Sequence, residues 1–95
     1  MYNLYTDCIA DIKDIRGLVK GGRSLDAQRR LKDVKAKWEE HILQNKGTEV
    51  GRVIEEALCR LPKANSRPDK WLSDLADAEG DFAFHLDHQR KTCVP

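Results

Sequence analysis

Long apolar runs are missing from this chain. Nothing in its 95 residues approaches the ~20 consecutive apolar positions a membrane-spanning helix needs. The opening, MYNLYTDCIADIKD, puts acids where a secretory leader requires an apolar core, so no signal peptide is expected. Charge of one sign is not in surplus either. Seventeen Lys and Arg stand against 16 Asp and Glu, a formal +1. No global field therefore draws the protein to nucleic acid or anionic lipid. Aromatic residues make up only 6% of the chain, and none interleaves with its basic run, so the stacking platform of a single-strand binder is lacking. The cysteines, Cys8, Cys59 and Cys93, are odd in number and far apart, with no CxxC. That excludes a disulfide framework and reads as reduced cytosolic thiols, with Cys8 and Cys59 as small core residues. Repeats, low-complexity runs and strand-like alternation are absent too.

What the sequence has is apolar residues at helical spacing, four times over. Tyr5, Cys8, Ile12, Ile15 and Val19 step by three or four, and Leu4, Ile9 and Leu18 widen that seam. A first helix is predicted over residues 3–20, stopped by Gly21 and Gly22, and Ser24 is the expected N-cap of the next. The second, over 25–45, faces inward with Ala27, Leu31, Val34, Trp38, His41 and Ile42, and Gly47 ends it. A short glycine link between two such helices predicts an antiparallel hairpin. Thr48 is placed to cap a third helix, 49–61, with Val50, Val53, Ile54, Ala57, Leu58 and Leu61 on one face and Pro62 closing it. Pro68 suits the first turn of a fourth, 68–89, which should bury Trp71, Leu72, Leu75, Ala78, Phe82 and Leu86. Gly80 in its middle predicts a bend or break, and residues 90–95 a loose tail. The expectation is a single all-α domain over 1–95: a three- to four-helix bundle with an N-terminal helical hairpin, anchored by Trp38 and Trp71.

No set of residues able to do chemistry stands out, so no enzyme and no cofactor are expected. Asp74, Asp77, Glu79 and Asp81 share one helix beside no nucleophile, whereas acid–base catalysis needs groups converging on a pocket. Arg29, Arg30, Lys32, Lys35 and Lys37 scatter around the polar arc of the second helix among Asp33, Glu39 and Glu40. They read as a solvated face with pairs such as Lys35–Glu39. His85 and His88, spaced i, i+3, are the weak metal candidates; Asp87 or Cys93 would have to complete a ligand set. The most distinctive segment is the short basic loop from Pro62 to Trp71. Lys63, Asn65, Arg67, Pro68, Lys70 and Trp71 are its candidate partner-binding residues, because exposed loops carry function disproportionately. Its Arg67–Pro68 bond is a candidate substrate for a prolyl isomerase.

Taken as a whole, MYNLYTDCIADIKDIRGLVKGGRSLDAQRRLKDVKAKWEEH, followed by LPKANSRPDKWLSDL, resembles a small early protein of a lambdoid phage. It is most similar to the Abc-type anti-RecBCD proteins, a likeness of size and texture over most of the chain. The resemblance implies a phage protein of the host cytoplasm that binds the host RecBCD helicase–nuclease. It would inhibit or modify that activity, protecting linear phage DNA and favouring recombination, without membrane attachment or direct nucleic-acid binding. No family motif carries individual residues onto this chain. The competing readings are a dimerising helical regulator with another protein partner, and a nucleic-acid-binding or metal-binding module.

Overall fold

In a computed structural model, residues 3–63 and 65–92 are described, the last three without their side chains. They form four helices in chain order: α1 (Leu4–Lys20), α2 (Ser24–Gln44), α3 (Glu49–Arg60) and α4 (Pro68–Thr92), with no strand among the described residues. The helices pack as a ring in which α1 touches α2 and α4, and α3 touches the same two. The Asn3 side chain donates to Gln89 at 3.2 Å, while Val19 and Trp71 meet at the opposite end. So α1 and α4 run antiparallel, and the short links make the remaining neighbours antiparallel as well. The bundle measures 45 × 24 × 20 Å.

Local chemistry explains most helix ends. Asn3 Oδ1 accepts the Tyr5 amide at 2.8 Å and so caps α1. The other end closes in a Schellman turn: Gly22 takes a φ of +76°, its amide donates to the Val19 carbonyl, and the Arg23 amide donates to the Leu18 carbonyl at 2.9 Å. That closure moves the start of α2. The Arg23 carbonyl already accepts the Ala27 amide, so Ser24, the expected cap, becomes the first helical residue, and Arg23 holds the cap position with no capping side chain.

Between α2 and α3 the expected cap is in place. Thr48 Oγ1 accepts the Gly51 amide at 3.1 Å and donates to the Asn45 carbonyl at 2.6 Å. The same carbonyl explains Gly51, because a Cβ there would lie 2.3 Å from Asn45 O. Two glycine substitutions should therefore move stability in opposite directions. Gly51→Ala forces the α2–α3 corner apart and is expected to destabilise by about 1–3 kcal/mol. Gly80→Ala meets nothing within 4 Å and is expected to stabilise by about 1 kcal/mol. Urea melts of the two variants check both signs.

The core is built from the predicted faces: Tyr5, Cys8, Ile12 and Ile15 from α1, Ala27, Leu31, Val34 and Trp38 from α2, Val53, Ile54 and Ala57 from α3, and Trp71, Leu75, Ala78 and Phe82 from α4. Trp38 meets Phe82 edge-on at 5.3 Å between ring centroids, and Tyr5 lies 5.8 Å from the same ring. Several expectations are corrected. Cys59 is exposed; at about 100° per residue it lies on the side of α3 nearly opposite the Ile54–Ala57 face. His41, Ile42, Leu58, Leu72 and Leu86 are only half-buried, because each stands towards the edge of its stripe, and so is Val50, in the first turn of α3. No break occurs at Gly80, since α4 runs uninterrupted past it to Thr92 and takes in the start of the expected tail. Its full set of helical hydrogen bonds outweighs one glycine's modest cost.

Candidate protein-binding face

The loop between α3 and α4 is held at both ends. Leu61, placed before a proline, turns extended at φ −60° and ψ 145°. Pro62 is fully buried, and its carbonyl accepts Lys35 Nζ from α2 at 3.2 Å. The Ser66 amide then donates to the Lys63 carbonyl at 3.0 Å, and the Trp71 amide to the Arg67 carbonyl at 3.0 Å. All described peptide bonds are trans, Arg67–Pro68 included. Between these fixed points Lys63, Asn65, Arg67, Pro68 and Lys70 are exposed, with Lys70 Nζ 3.7 Å from Asp74.

Trp71 differs from the other five candidates. Only 4% of it is exposed, because it begins the inner stripe of α4 that continues through Leu75, Ala78 and Phe82. It anchors the loop rather than presenting a ring to solvent. Two clefts flank the segment. One of about 350 Å³ is lined by Cys59, Arg60, Lys63, Lys70, Asp74 and Asp77, with no histidine in its wall. The other, about 270 Å³, is bounded by Val19, Ala27, Gln28, Pro68 and the edge of Trp71. Ser66 belongs to both.

Charges elsewhere are sorted by their partners. Asp11 of α1 is 3% exposed; its carboxylate accepts Trp38 Nε1 at 3.2 Å, Lys37 Nζ at 3.2 Å and Arg30 Nη2 at 3.2 Å. Lys37 also reaches Asp7 at 3.0 Å, and Arg30 lies 3.4 Å from Asp14. Burial alone would pull the Lys37 ammonium downward, but its hydrogen bonds to Asp7 and Asp11 outweigh that and hold its pKa above the ordinary value. The basic run of α2 is thus divided. Arg30 and Lys37 turn to α1, Lys35 goes to the Pro62 carbonyl instead of Glu39, and Arg29 and Lys32 stay exposed. A spacing of four and three in Asp7, Asp11 and Asp14 carried this signal, which the apolar stripe beside it had masked.

The acidic stretch of α4 is likewise engaged: Glu79 with Arg16 at 2.8 Å, Asp81 with Arg60 and Asp74 with Lys70. His85 packs 6.1 Å from the Tyr5 ring and 5.4 Å from Phe84. Among the described residues no group of three His, Cys, Asp or Glu side chains is placed to share a metal ion, and Cys93 lies outside them. The apolar faces of α1 and α2 are turned into the bundle against α3 and α4. No described helix is long and apolar enough to cross a membrane. Comparison with known protein families, curated proteins and solved structures finds no match to this chain.

Proposed function

We propose that the chain is a non-catalytic helical binding protein. It uses the face around residues 62–71 to engage the host RecBCD helicase–nuclease in the host cytoplasm, inhibiting or redirecting it so that linear phage DNA survives. The sequence resemblance suggests the partner. The observation that carries the binding role is the loop itself: a short basic segment, clamped by buried Pro62 and Trp71, that displays Lys63, Arg67 and Lys70. A loop backbone held this way loses little freedom on binding, which lowers one of the costs a small binder must overcome. A protein surface suits the charge better than DNA mimicry does, since a DNA mimic carries a strong acidic field and Asp74, Glu79 and Asp81 of α4 are engaged in ion pairs. The exposed trans Arg67–Pro68 bond lies on the same face and is offered to a prolyl isomerase as a second partner.

Affinity capture with the tagged chain from an enteric bacterial lysate tests this. RecBCD subunits retained at high salt in near-stoichiometric amount, with a purified nuclease assay on linear duplex altered by the same protein, are the expected result. A folded protein that retains no RecBCD overturns the assignment.

A further inference from the structure

The apolar cleft beside Trp71 does not end at the loop. Gln28 lines it and also lines a shallower groove along α2 bounded by Arg29, Leu31, Lys32 and Lys35. One continuous surface therefore runs from an apolar slot (Val19, Ala27, Pro68 and the Trp71 edge) onto a cationic shelf. The turn after α1 and the loop before α4 lie at this same end of the bundle. Lys20, Arg23 and Arg67, all exposed, adjoin in sequence the slot residues Val19, Gly22 and Ser66, and add to Arg29 and Lys32. The acids facing them are few. Asp26 is bound to Arg23 at 2.6 Å, and no Asp or Glu lines the slot or the shelf. The near-neutral total of the chain hides this basic end, because its counter-charges lie in the Asp7–Asp11–Asp14 row and on α4.

We infer that this surface binds an acidic polypeptide segment carrying one bulky apolar side chain, which fills the slot between Val19, Ala27 and Trp71 while its carboxylates lie along Arg29, Lys32 and Arg67. The slot, about 270 Å³, has room for one large side chain and excludes water when filled. Excess positive charge around an apolar seat is complementary to such a segment and steers its approach. Nucleic acid is the poorer fit. Single strands bind by stacking bases on open rings, and the indole at this end is 4% exposed. The inference rests on the proposed binding role of the 62–71 face but not on the identity of RecBCD.

The test uses the full chain, labelled with ¹⁵N, and three probes: an Asp/Glu-rich peptide with one central Leu, the same peptide with Ala there, and a single-stranded oligothymidylate. Expected are amide shifts clustered at Val19, Gln28, Ser66 and Trp71 with the Leu peptide. The Ala peptide should bind roughly tenfold more weakly. The exposed pair Arg29→Glu, Lys32→Glu should weaken both, with thermal melting unchanged. Groove residues unmoved by either peptide, or oligothymidylate binding there as tightly as the Leu peptide, overturns the inference. The two proposals fail separately. Capture of RecBCD by the wild type with no peptide binding sinks the groove alone, and peptide binding without RecBCD capture sinks only that partner.

Discussion

Trp38→Ala is expected to bring the protein to the edge of unfolding. The side chain is fully buried, packs edge-on against Phe82 and gives its indole N–H to the buried Asp11 carboxylate. Truncating a core tryptophan costs about 3–5 kcal/mol through lost transfer energy and the cavity left behind. A small domain has only about 5–15 kcal/mol in all. Trp38→Phe divides the loss: it keeps a ring against Phe82 but removes the donor to Asp11 and part of the buried volume, a cost of about 1–3 kcal/mol, since Lys37 and Arg30 still serve the carboxylate. Urea unfolding followed by circular dichroism gives both numbers. A loss under about 1 kcal/mol for Trp38→Ala would contradict a core centred on this residue.

Stability is expected to fall steeply in alkali, and Cys8 to be the chief cause. Burial first, then the charges of Asp11 and Asp7, push its thiol from 9.0 up to about 12. Above the unfolded thiol's pKa the unfolded chain gives up a proton that the folded chain retains. The folded state then binds more protons, so stability decreases as pH rises. The Cys8 contribution is complete below pH 9 and is lost as pH climbs through about 12, a change on the order of 4 kcal/mol. Tyr5, raised by burial and then by Glu49, and Lys37, raised as described above, act in the same direction at somewhat higher pH. In Cys8→Ala the earliest part of the decline, from pH 9 upward, should disappear while the tyrosine and lysine parts remain. Urea midpoints measured from neutral to strongly alkaline pH check this. Equal slopes for the two proteins would show that Cys8 is not held neutral in the fold.

How far the sequence revealed this molecule depended on what each residue interacts with. The apolar stripes placed four helices and nearly the whole core, because periodic burial is a property of one helix read alone. Thr48 as a cap and Pro68 as a first helical residue were equally legible, their chemistry being local. What could not be read was set by a second element. Ser24 lost the cap because the turn after α1 closes through Arg23. Cys59 faces solvent and not the core, since the final rotation of α3 is fixed by packing, whereas Trp71 is the core anchor its stripe predicted and so is not an exposed member of the loop. Asp11 drew no separate reading, because only the approach of Trp38, Lys37 and Arg30 makes it an internal acid. The face around 62–71 was visible as composition, but one flanking cleft arises where α1, α2 and the loop converge and the other where α3, the loop and the start of α4 do.

That face is the centre of the account, and hydrogen exchange of the captured complex tests it most directly. Amides of the non-proline residues between 62 and 71 and of the first half of α2 are predicted to slow on partner binding, while those near Phe84, at the far end of the bundle, stay at their free rates. Protection confined to the Phe84 end, with the loop unchanged, would contradict it.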